Sequence, residues 1–199
     1  GRDVVVLAPD SVPSPGWLQQ LQACLARDAA IATATPWCNA GGTVAWPRMG
    51  EVNPMPEALD ALSHACAEMP PAHPELPSAV THAVLVRAAA RTRAGGLDID
   101  SYGGWAAALV DLGLRMAGLG WRNVLCETAF VARPGEGRHH AGDLDALASR
   151  WPAWTPRLAG FLMHDPLRHA REDLQLRYRR AIMTRAQGDL FGANPPLQE

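Results

Sequence analysis

Asp10 closes the run DVVVLAPD, where an unbroken apolar, β-branched segment meets a turn. Ligand sites gather at the carboxyl ends of strands in α/β sheets. A hard carboxylate in that place suits Mg²⁺ or Mn²⁺; the plainer reading is an aspartate that only starts a turn. Two clusters further along combine aromatic rings with small or amide-bearing residues. Trp37, Asn39, Gly41, Gly42 and Trp46 fall in one, and Tyr102, Gly103, Gly104 and Trp105 in the other. Aromatic faces beside polar groups suit sugar rings, which present C–H faces for stacking. The same residues serve equally well as core, above all Trp17, Trp121, Trp151 and Trp154 among the seven tryptophans.

These residues need elements to position them. Asp3 to Ala8 has the pattern of a strand buried on both faces. Ser14 and Pro15 suit the cap and first position of a helix carrying Trp17, Leu18, Leu21, Cys24 and Leu25 at helical spacing. Ile31 to Thr35 is a second strand, and the order suggests a βαβ-like unit. Pro36 to Pro56 is a loop long enough to expect function or motion. A helix over 57–69 is broken by PPAHPELP. A strand over 80–87, a short helix over 88–93, a turn-rich loop, a helix over 106–117 and a strand over 124–132 follow. From Asp143 a helical tail runs with breaks to about Gln187.

Composition narrows the class. Hydrophobic residues make up 48% of the 199 and charged residues 19%, enough to build a core and unlike a disordered chain. A net charge of −2 gives no electrostatic footprint for nucleic acid. No run approaches the ~20 apolar residues of a membrane span. Arg2 and Asp3 lead straight into VVVL, without the pattern of a signal peptide. Cys24, Cys38, Cys66 and Cys126 are far apart with no CxxC, which favours buried free thiols over a zinc site. The expected location is cytoplasmic. The arginine-rich stretch from Arg168 to Arg185 is open to peripheral contact with the inner face of a membrane, to packing on its own domain, or to a homodimer interface.

The segments DVVVLAPDSVPSPGWLQQLQACLARDAAIATATPWCNAGGTVAWP, LPSAVTHAVLVRAAA, GGLDIDSYGGW, VDLGLRMAGLGWRNVLCETAFV and RWPAWTPRLAGFLMHDPL resemble, in that order, the acceptor-side part of glycosyltransferase family 2. The resemblance covers most of residues 3–167. It implies a GT-A fold: an α/β domain around a mixed, mostly parallel sheet flanked by helices. A partial GT-A domain would occupy 1–142 and a helical extension 143–199. Residue 1 then reads as a fragment boundary, with the nucleotide-binding half expected ahead of it.

By that resemblance Asp10 is the last acid of a DxD-like metal-binding turn whose first acid falls on Ala8. The acidic pair that supplies the base of an inverting transfer falls on Ala108 and Leu109. Asp111 lies two places on and is the leading candidate for the base, with Asp98 and Asp100 as fallbacks. Early carboxylates also simply favour a helix dipole. A family histidine after the last strand is replaced by Arg133, whose guanidinium matches phosphate geometry. His139 and His140 follow, more in keeping with a solvated pair than with a ligand. Trp37, Asn39, Tyr102, Gly103, Gly104 and Trp105 become substrate-binding candidates. The implied activity is transfer of a sugar from a nucleotide-sugar donor to a glycan or lipid-linked acceptor. The substitutions at positions 8, 108, 109 and 133 support a rival reading, a catalytically degenerate module that binds carbohydrate or protein.

Overall fold

A computed structural model describes residues 1–192 except 41, 136, 138 and 139, with side chains described through residue 186. Five strands, β1 (Val4–Leu7), β2 (Val12–Pro13), β3 (Ile31–Trp37), β4 (Ala83–Val86) and β5 (Arg122–Ala132), form one curled sheet in the order β1-β4-β3-β5-β2. Among the described residues seven helices flank it: α1 (Trp17–Arg27), α2 (Leu59–Ala67), α3 (Ala88–Arg93), α4 (Trp105–Gly118), α5 (Asp143–Arg150), α6 (Trp154–His164) and α7 (Arg168–Gly192).

The class is mixed α/β, and the expectation of a mostly parallel sheet needs correction. Only β3 and β5 are parallel neighbours. β4 lies between β1 and β3 and is antiparallel to both, and β2 is antiparallel to β5. It follows that β1, β3 and β5 point the same way although β1 and β3 do not touch. The βαβ unit is therefore present in direction but not in adjacency, because β4 is inserted from later in the chain. An apolar run reports that a strand is covered, not which way its neighbours run.

The alternation along the strands sorts the core into two faces. Ala34, Leu85, Val124 and Cys126 pack with Leu21, Cys24 and Leu25 of α1. Ala32, Val84 and Val86 face the other way, onto Ala90 of α3 and Leu109, Leu112 and Met116 of α4. Packing on that side is close: a Cβ built on Gly113 would lie 2.8 Å from the Ala79 amide nitrogen. β1 is not buried on both faces. It is an edge strand, and Val4 and Leu7 remain 38% and 39% exposed. Ser14 does not cap α1 either. The N-cap position is Gly16, in the left-handed region at φ 73°, and the buried Ser14 hydroxyl has no partner.

The long loop after β3 is built into the core. Val44, Ala45 and Trp46 are buried, and Trp46 meets Phe130 and Tyr178 edge-on. Leu167, Leu174 and Tyr178 of the C-terminal helical part join Leu62, Ala65 and Cys66 of α2 in the same cluster. Three arginines of α7 are spent on the protein itself. Arg171 is buried against the loop after β3, Arg177 pairs with Asp173, and Arg185 pairs with Asp60. No helix among the described residues is long and apolar enough to cross a membrane.

Candidate functional site

Three strands that share a direction end on one side of the sheet, and β4 begins there. The topology therefore brings together Pro9 and Asp10 after β1, Asn39 to Thr43 after β3, His82 before β4, and Arg133 after β5. A cavity of about 300 Å³ opens at that edge. Pro9, Ala40, Thr43, His82 and Arg133 line it from the sheet side, with Ser78 to Thr81 beside them. Trp105, Ala106 and Val110 of α4 and Trp154 and Leu158 of α6 complete the wall. That size lies at the small end of ligand sites. Among the described residues no carboxylate lines it; the titratable ones described there are His82 and Arg133.

Arg133 is held from behind. Its backbone N–H donates to Asn39 Oδ1 at 2.7 Å, and its carbonyl accepts from Asn39 Nδ2 at 2.8 Å. Asn39 Nδ2 also donates to the Asn53 carbonyl at 3.0 Å, while Asn53 Nδ2 donates to the Asn39 carbonyl at 3.1 Å. Asn39 is fully buried. Its role is to position the segment that leaves β5, not to touch an acceptor, which corrects the expectation of a substrate contact. From that clamp the Arg133 side chain reaches Asp10, and Nε donates to both carboxylate oxygens at 2.8 and 2.9 Å. The hydrogen bond from this guanidinium holds the Asp10 carboxyl below its usual range, against a smaller opposing effect of burial. Gly137 lies so close that an added Cβ would stand 2.8 Å from Arg133 Nη1.

This donor set does not fit a divalent cation. Among the described residues one carboxylate is present, a fixed positive charge already occupies both its oxygens, and the Ala8 side chain offers no ligand. Bringing a second cation to the same carboxylate would set like charges side by side.

His82 was not singled out in the sequence, where it stands inside the apolar run VTHAVLVR. Its Nε2 lies 3.1 Å from the Pro36 carbonyl, which can only accept, so Nε2 carries the proton. Nδ1 is then a lone-pair acceptor, and it is buried without a partner. Burial drives the pKa of this ring down to about 3, the Arg133 charge adds to the fall, and the Pro36 hydrogen bond opposes it. Its carbonyl accepts from the Ala8 amide at 3.0 Å and the Ser11 hydroxyl at 2.8 Å, tying β4 to the end of β1. Only the placement of a histidine at a strand start hinted at this.

The candidates around α4 divide. Trp105 is 40% exposed and lines the cavity. Tyr102 is buried, and its hydroxyl donates to Asp111 Oδ1 at 3.1 Å. Asp111 is fully buried and does not line the cavity: Arg115 Nε donates to it at 2.8 Å and Trp151 Nε1 at 2.8 Å, with Arg150 Nε 3.3 Å away. The Gly103 and Gly104 amides, at the start of α4, donate to the carboxylate of Asp143 at 2.8 and 3.1 Å. Asp98 bonds Ser101 and Arg150, and Asp100 is exposed. Trp37 is fully buried, with the Arg171 guanidinium 5.6 Å from its ring centre. His140 packs against Gly103, where an added Cβ would strike its ring, and His139 lies outside the described residues. Trp154, grouped in the sequence with core tryptophans, lines the cavity instead.

No protein-family model matches the chain, and no curated protein matches it by sequence.

Proposed function

We propose that this chain is the acceptor-side part of a nucleotide-sugar-dependent glycosyltransferase of the family 2 type, with the sheet-edge cavity as its sugar site. The observation that carries the reading is convergence. Asp10, Trp105 and Arg133 lie in segments far apart in the sequence, and they stand at one cavity or directly beside it. Trp105 offers a half-exposed aromatic face for the C–H face of a sugar ring. Arg133 supplies positive charge for a phosphoryl group. The nucleotide-sugar donor, the glycan or lipid-linked acceptor and inversion at the sugar carbon come from the resemblance.

A second reading has its own support. Asp111 is walled in by two arginines, a tyrosine and a tryptophan, and among the described residues no carboxylate lines the cavity. Those facts favour a carbohydrate-binding module that has lost its base. Calorimetry with nucleotide sugars and with their free monosaccharides, followed by a transfer assay, separates the two. Binding and turnover of a nucleotide sugar support the transferase. Monosaccharide binding that quenches tryptophan fluorescence and is lost in Trp105→Ala, with no turnover, supports the module. Failure of every sugar to bind would end both.

A further inference from the structure

The disagreement between this site and a metal centre points to a different source of charge. We infer that Arg133 itself is the cation of the site, binding the phosphoryl group of a diphosphate directly, with Asp10 as an internal anion that the ligand displaces. The choice of a diphosphate rests on the sugar-nucleotide reading above; the exchange of anions rests on the local geometry alone.

Three observations support the exchange. The first is asymmetry of fixation. The Arg133 side chain is 12% exposed and grows from a backbone clamped on both sides by Asn39, whereas the Asp10 side chain is 42% exposed on a turn. Of the two partners, the carboxylate is the one free to leave. The second is unused capacity. Asp10 engages Nε alone. Among the described residues the two terminal nitrogens have no other hydrogen-bond partner, and Arg133 lines the cavity. Those N–H donors form the planar fork that phosphate oxygens match. The third is the covering backbone at Gly137, which passes so near the guanidinium that a side chain there would displace it. A partly exposed ion pair is weak, and a bidentate arginine–phosphate pair is strong, so the exchange runs toward the ligand.

The test is calorimetric titration of the chain with inorganic pyrophosphate, once with EDTA and once with Mn²⁺. Binding that is equal in both conditions is expected. Asp10→Asn removes the competing anion and should tighten binding several-fold, while Arg133→Lys should weaken it about tenfold and Arg133→Gln should abolish it. Circular dichroism melts confirm that each variant folds, and the EDTA comparison on the unaltered chain stands even if one does not. Loss of binding in EDTA, weaker binding in Asp10→Asn, or no pyrophosphate binding in either condition overturns the inference. Uridine diphosphate and a short prenyl diphosphate, compared at one concentration, tell a nucleotide carrier from a lipid carrier by which binds tighter. The sugar reading fails separately: absence of monosaccharide quenching of tryptophan fluorescence in the unaltered chain, with pyrophosphate binding intact, sinks that reading and leaves the anion exchange standing.

Discussion

Asn39 shows how a buried polar residue can matter more for placement than for contact. Its amide satisfies the Arg133 N–H, the Arg133 carbonyl and the Asn53 carbonyl at once. Removing it leaves backbone groups without partners, each worth about 1–3 kcal/mol. Asn39→Ala should therefore lower stability by about 3 kcal/mol, measured as a fall in the urea midpoint at unchanged slope. It should also weaken pyrophosphate binding, because Arg133 loses its fixed base. His82 gives a pH dependence with a definite sign. Its folded pKa of about 3 lies below the ordinary 6.5, so the unfolded chain binds the extra proton between those values. Stability should thus fall as pH drops through about 6, approaching about 1.4 kcal/mol per pH unit. Glu127 acts in the opposite sense, since burial raises its carboxyl pKa. The difference between the chain and His82→Gln, measured by urea unfolding from pH 7 to pH 5, isolates the histidine. The variant should lose the slope. Asp10, Arg133 and Trp105 were legible because charge or aromatic area at a strand or helix end has few structural uses. Asn39 and His82 were not, because the groups that define them are backbone atoms brought in from distant segments.

At the scale of elements, α4 is held to its neighbours by a charge buried behind the cavity wall. Asp111 joins Arg115 of its own helix to Tyr102 ahead of it and to Arg150 and Trp151 at the end of α5. Taking the charge from such a cluster while its partners stay costs about 3–5 kcal/mol. Asp111→Asn should lower the melting temperature accordingly and leave monosaccharide affinity within about twofold at temperatures where the variant is folded. Unchanged stability with lost sugar transfer would restore Asp111 as the base. The elements themselves were largely visible. The helix at 88–93 has the bounds that its glycine punctuation predicts, and the expected helical tail does begin at Asp143. What composition could not show is strand direction. β4 has the same apolar signature as its neighbours, and only its hydrogen bonds reveal that it runs against them. The two-residue β2, with a proline in it, leaves almost no signal of its own.

Over the whole molecule, one side chain couples the C-terminal helix to the site. Arg171 is 4% exposed at the start of α7. Its Nε donates to the Ala45 carbonyl at 2.7 Å and its Nη2 to the Thr43 carbonyl at 2.7 Å, while Nη1 pairs with Asp165. Its own carbonyl accepts from Trp46 Nε1 at 3.3 Å. The loop after β3, which provides Thr43 to the cavity, is therefore fastened to α7 from behind. In the sequence Arg171 is one arginine of many in a basic stretch that also suits a membrane surface or a second subunit. Its burial beneath the loop separates it from exposed neighbours such as Arg179 and Arg180. Arg171→Met keeps much of the apolar stem but leaves two carbonyls and a carboxylate without their donor. Breaking a buried pair in this way costs about 3–5 kcal/mol. The expected result is a lower urea midpoint together with weaker monosaccharide binding, because the Thr43 side of the cavity loosens. Arg179→Ser with Arg180→Ser should change neither quantity. If instead the surface pair weakens sugar binding and Arg171→Met does not, α7 acts through its solvent face, and the coupling through the core is wrong.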